Sequence, residues 1–185
     1  MNAVTRAVLA AVPLIVPVAT EAFVGADNLG VGGHALFVVT QLAGWGLLLS
    51  LSQLLAARVG GSRWAARLVQ AGCVLQLVFA AGYGITALVW GEPSEGMFVA
   101  FLLGFLALTV GGVAWGAQLL RAGGAASAGT GLLAVAVLGL LAMAVGVDPF
   151  HDIFLLSSYA AWVAVGGGIE RVDQPEQVLV SDASR

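Results

Sequence analysis

The sequence predicts an all-α integral membrane protein, a six-transmembrane-helix bundle built from three helical hairpins, with a parallel internal repeat relating hairpins 1 and 3. Three observations predict it. Hydrophobic residues make up 60% of the 185-residue chain, charged residues only 9%, and the mean hydropathy is +1.01. That is more apolar surface than a soluble domain of this length can hide. Apolar stretches near the ~20 residues that cross a ~30 Å hydrocarbon core recur along the chain. Basic residues, finally, fall only at alternate joints between those stretches.

The six spans are placed at 6–25, 34–57, 67–90, 97–120, 130–147 and 149–169. The first follows Arg6. Its Pro13 and Pro17 mark a kink, because neighbouring helices re-satisfy the backbone groups that proline frees in a membrane. The same run read as a secretory signal peptide would be cleaved after Ala26. The second span follows the glycine-rich "GVGGH", which no strand precedes, so a phosphate-binding loop is excluded. The third begins at Arg67 and ends at Trp90, with Tyr83 and Trp90 at the level of an outer aromatic belt. The fourth follows Pro93 and Ser94, a capping pair, and carries Gly112 and Gly116 in a GxxxG pattern, assigned to contacts within the bundle. The fifth is apolar throughout. The sixth opens on Asp148-Pro149, an N-cap followed by a first-turn proline. Residues 1–169 thus form the membrane domain, and 170–185 a disordered cytoplasmic tail.

Arginine sets the expected orientation. Arg6, Arg58, Arg63, Arg67, Arg121 and Arg171 flank one set of joints, while Asp27, Glu92, Glu95 and Asp148 occupy the others. The positive-inside rule makes the arginine side, and both termini, cytoplasmic. Arginine without any lysine, amid abundant Ala, Gly and Val, points to a high-GC bacterial genome and so to a bacterial inner membrane. The missing lysine excludes Schiff-base chemistry, lysine nucleophiles and the P-loop lysine. The single cysteine, Cys73, excludes an internal disulfide and CxxC redox chemistry. No basic run exists to grip nucleic acid. The expected partners are the lipid bilayer and, in addition, further copies of the chain or another membrane subunit.

"HALFVVTQLAGW" (34–45) and "HDIFLLSSYAAW" (151–162) align without gaps on His, Phe, Ala and Trp, and "VGAD" upstream of the first matches "VGVD" upstream of the second. Histidine and tryptophan are rare here, so their coincidence outweighs the cheap matches among Ala, Leu and Val. The middle hairpin echoes the pattern only in Glu95 and Phe98. Loss of the first span by signal cleavage would break one copy of this repeat.

At 3.6 residues per turn His34, Gln41, Trp45 and Ser52 share one stripe, and His151, Ser158 and Trp162 another. Polar residues in membrane helices face the protein interior or a wet cavity. Two such stripes would line an outward-facing cleft with His34, His151, Asp152 and Glu21 at its mouth and Gln41 and Ser158 deeper. His34, His151 and Asp152 are donors suited to a divalent metal such as zinc. The two histidines could alternatively hold a haem b iron. The plainer readings are that the histidines form hydrogen bonds between helices, that Asp152 favours the helix dipole, and that Trp45 and Trp162, too deep for a belt, pack. Gln70 and Gln76 are expected to bond between helices. A serine hydrolase at Ser157 or Ser158 lacks any visible oxyanion element.

No cofactor is the simplest expectation. The function expected is non-enzymatic, an accessory or sensing subunit with an outward-facing polar cleft. A small transporter or channel is the alternative, and a metal- or haem-binding protein of the outer face the second alternative.

Overall fold

The computed structural model describes residues 1–24, 30–90, 95–145 and 150–172, all but a few of them helical. Its helices are α1 (Ala3–Val24), α2 (Gly30–Arg58), α3 (Arg63–Trp90), α4 (Glu95–Ala122), α5 (Ala126–Val145) and α6 (Phe150–Val172). All six are long and apolar enough to cross a membrane. Lipid offers no partner for a bare amide, so each span must satisfy its backbone within itself.

Most helices run past the apolar stretch that announces them. α3 starts at Arg63 rather than at residue 67, α5 at Ala126 rather than at 130, and α6 continues through Val172. The reason is local capping and charge at the membrane surface. Asn2 Oδ1 accepts the Thr5 N–H at 2.7 Å, which caps α1 ahead of Arg6. Arg58, Arg121 and Arg171 sit in the last turns of α2, α4 and α6, where a cation complements the helix dipole. Glu170, expected to open a disordered tail, lies in α6, and its Oε1 accepts the Val4 N–H of α1 at 3.0 Å. Residues 173–185, and the Ser94 and Asp148-Pro149 caps, lie outside the described residues. α1 continues through Pro13 and Pro17 without a break.

Each helix packs on its successor, α6 returns to α1, and α2 touches α6 across the interior. The result is a closed ring in which every helix has two neighbours. Glycine permits the approach at each seam. A Cβ at Gly44 would meet Ala10 O of α1 at 3.0 Å, and one at Gly72 would meet Gly104 O of α4 at 2.8 Å. At the GxxxG pattern, a Cβ on Gly116 would meet Gly129 O of α5 at 2.8 Å, so the motif serves the bundle's own α4–α5 seam. A Cβ on Gly131 would reach Val165 N at 2.8 Å, and one on Gly166 would reach Ala3 O at 2.8 Å, closing the ring through α5, α6 and α1.

The arginine-bearing ends gather together. The α2–α3 turn passes through Gly60 and Gly61 at φ +77° and +96°, a region closed to most L-residues. Trp115 Nε1 donates to Gly60 O at 2.9 Å, and Gln118 Oε1 accepts the Ser62 N–H at 2.9 Å, so α4 clamps this turn. Arg6 Nη1 reaches Ser50 Oγ at 3.1 Å. Leu48, Leu51, Leu55, Val69, Trp115 and Ile169, all toward this end of their helices, are fully buried.

Replacing Gly116 with Leu is expected to destabilise the bundle by at least ~1–3 kcal/mol, the usual cost of overpacking. Gly46→Ala, where a Cβ meets nothing within 4 Å, is expected to leave stability unchanged or slightly raised. Thermal unfolding of the two variants in one detergent checks the pair.

Candidate functional site

Away from the arginine end the interior is not filled. A cavity of about 60 Å³ lies between α2, α3, α4, α5 and α6. Its floor is formed by Trp45, Leu108 and Trp162, and its upper wall by Phe101, Met143 and His151. Along α6 the distance from His151 to Trp162 is ~16 Å at 1.5 Å per residue, so the residues around the cavity lie in the half of the bundle opposite the arginines. Apolar side chains dominate the lining, and Gln76, Thr109, His151, Ser158 and Tyr159 supply its polar groups.

Most of those polar groups are fixed by the neighbouring backbone. His151 Nδ1 lies 2.8 Å from Ala142 O. A carbonyl only accepts, so Nδ1 carries the proton, and in the neutral ring Nε2 is left as the acceptor. Ala142 belongs to the last turn of α5, whose carbonyls lack partners within the helix, so the bond also caps α5. Ser158 Oγ donates to Val135 O at 3.0 Å and Gln76 Nε2 to Phe101 O at 3.1 Å. Trp45 meets Tyr159 edge-on, with centroids 6.0 Å apart.

The residues singled out from the sequence divide. His151 and Ser158 both line the cavity. Gln41 is buried beside it, its Oε1 accepting from Trp45 Nε1 at 2.9 Å. His34 stands instead on the α2–α3 seam, its ring 6.1 Å from that of Tyr83. Tyr83 in turn packs on Phe37 at 5.1 Å and Phe79 at 5.7 Å, so it centres an aromatic cluster rather than simply marking a membrane belt. Asp152 is half-buried in the first turn of α6, outside the cavity lining. Glu21 belongs to the last turn of α1, but its side chain lies outside the described residues. The two histidines thus engage different helices, α3 for His34 and α5 for His151. Among the described residues no three His, Cys, Asp or Glu side chains gather as a metal set, and His34, His151 and Asp152 do not form one.

Thr109 and Tyr159 were not legible as site residues. Threonine is frequent on any membrane helix, and nothing in a single chain shows which neighbour Tyr159 faces. The Trp45 stripe carried the usable signal, because two deep tryptophans on polar stripes, Trp45 and Trp162, both border the cavity.

The fold defines a class, the multi-pass helical membrane protein. Beyond that class, comparison of the chain with protein-family models, curated proteins and solved structures finds no match.

The His151–Ala142 and Ser158–Val135 bonds are expected to be separable. His151→Leu should raise amide hydrogen exchange at the outer ends of α5 and α6, while His151→Gln, which keeps a donor, should restore part of the protection. Ser158→Ala should cost about 0.6 kcal/mol, typical of a hydrogen bond between membrane helices, without changing exchange near residue 142.

Proposed function

We propose that the chain is a non-enzymatic accessory or sensing protein of the membrane, and that the cavity beneath His151 is its ligand site. The carrying observation is a small cavity lined in part by polar side chains in one half of the bundle, above a half that is filled. Below Trp45 and Trp162 the interior is closed by Leu48, Leu51, Trp115, Val165 and Ile169, all essentially inaccessible. A cavity that stops at a packed plug is not a continuous pore, which favours binding over a channel. This weighs against the channel reading, and flux decides the transporter one.

The cavity limits the ligand. Its 60 Å³ is small, which fits a neutral solute of a few heavy atoms. At a ceiling of about −1.5 kcal/mol per heavy atom, four atoms bind no more tightly than ~−6 kcal/mol, a Kd of tens of micromolar or weaker. His151 Nε2 selects a ligand that brings a hydrogen-bond donor. The orientation follows from the arginines: the end holding Arg58, Arg63 and Arg121 is cytoplasmic and the cavity faces outward. The parallel relation of hairpins 1 and 3 is proposed with it, supported by the equivalent burial of Gln41 with Ser158 and of Trp45 with Trp162. An accessory role further implies a membrane partner.

Binding of short amides, alcohols and urea to the reconstituted protein, read from tryptophan fluorescence, tests the site. Saturable binding that is lost on Met143→Phe, at the His151 end of the cavity, is expected. Solute or proton flux in sealed vesicles would sink the reading in favour of transport. A stoichiometric metal or a Soret band in the purified protein would sink it in favour of the metal or haem alternative. For orientation, a cysteine introduced at Gly124, which is exposed and has open space around its Cα, in a Cys73→Ala background is expected to react with an impermeant maleimide in inverted vesicles and not in intact cells.

A further inference from the structure

The outer face of α3 at the arginine end carries a feature that the central cavity does not use. Arg63, Trp64, Arg67, Leu68 and Ala71 line a shallow groove there. Arg63 opens α3 and Arg67 follows one turn later, so both guanidiniums stand on one face of the helix. Both are exposed, and Trp64 beside them is 54% exposed. Two like charges at this spacing repel each other, and an anion held between them would relieve that repulsion. The start of α3 adds the positive end of its dipole at the same place.

The groove also has a continuation. Ala71, Val74 and Val78 follow Arg67 at i+4, i+7 and i+11 and form an exposed apolar stripe, with Val74 at 44% and Val78 at 49%. From Arg67 to Val78 the helix rises ~16 Å, about half of the ~30 Å hydrocarbon core. That is the depth of one leaflet. The exposed indole of Trp64 stands at the level of the guanidiniums, where amphipathic rings sit among headgroups.

We propose that this groove is a binding site for one anionic phospholipid. Its phosphate is held by Arg63 and Arg67, which suit bidentate contact with phosphate oxygens. One acyl chain lies along Ala71, Val74 and Val78. Charge complementarity selects an anionic headgroup over a zwitterionic one, which would bring its own cation against the arginines. Continuity of the cationic head with the apolar stripe selects a lipid over a free anion, which would leave the stripe unused.

Native mass spectrometry of the full chain in detergent, titrated with phosphatidylglycerol and with phosphatidylcholine of matched chains, tests the site. One phosphatidylglycerol is expected to bind with at least fivefold preference. The R63Q/R67Q variant is expected to lose that preference, and each single substitution to lose part of it. R121Q, an exposed arginine at the same end of the bundle, is expected to keep it. Circular dichroism and gel filtration establish that each variant is folded, and the single variants decide the matter if the double variant is not. Undiminished preference in folded Arg63 and Arg67 variants overturns the proposal. So does an equal loss in R121Q, which would mean diffuse charge rather than a site. Full competition by glycerol phosphate also overturns it, since a soluble anion would then suffice.

Discussion

Close approach of helix backbones at glycine is the constraint on which the bundle depends. In a bilayer the lipid tails are as apolar as leucine, so burying apolar side chains does little to bring helices together. What remains is contact, and contact is densest where no Cβ holds the backbones apart. Gly44, Gly72, Gly116, Gly131 and Gly166 serve different seams, and Gly84 faces Val38 at the seam of α2 and α3. α4 is glycine-bearing on two faces, meeting α3 through Gly104 and Gly111 and α5 through Gly116. Five of the six seams bring backbone onto glycine, and at the α2–α3 seam Gly84 receives the Val38 side chain.

The rest of the architecture follows from how unevenly the ring is filled. Toward the arginines, large side chains converge and the turn between α2 and α3 is clamped by Trp115 and Gln118. Glu170 on the first turn of α1 and Arg6 on Ser50 tie the first and last helices into the same end. Toward His151 the walls are aromatic rings and small residues, which leave space between them. A packed half holds the helices in place, and the hollow half can then keep polar groups at fixed positions. His151 and Ser158 are held there by carbonyls of α5, not by one another. Two polar residues on one helix thus need not form a reactive pair.

Arginines at the same end of the bundle meet different surroundings. Arg6 is drawn into the bundle, where its Nε is buried without a partner among the described residues. Arg63 and Arg67 stand on the outside of α3, where lipid headgroups meet the protein. Helix phase decides which, since α3 turns Ala65, Ala66 and Val69 inward and Arg63 and Arg67 outward.

Much of the fold was legible in the sequence. Span number, approximate limits and the common end of the arginines follow from hydropathy and charge, which act on each segment separately. The role of the Gly112–Gly116 pattern, the depth of Trp45 and Trp162 and the bonding of Gln76 were legible too, because small and polar residues in an apolar span turn toward other helices whichever helix receives them. The extra turns of α3, α5 and α6 were not, since they lie beyond the apolar runs that mark the spans.

The candidate site divides along the same line. That His34 and His151 are polar groups near helix mouths was a matter of sequence. Which helices they face was not: His34 turned to Tyr83 on α3, and His151 to Ala142 on α5. The spacing of one stripe fixes a residue's place on its own helix but says nothing about that helix's rotation within the bundle. By itself, then, the sequence determined that the chain crosses the membrane and where each span lies, because burial in lipid is a property of a segment. Only the tertiary structure decided that a cavity exists and that His151 and Ser158, without His34, border it, because convergence is a property of packing between segments.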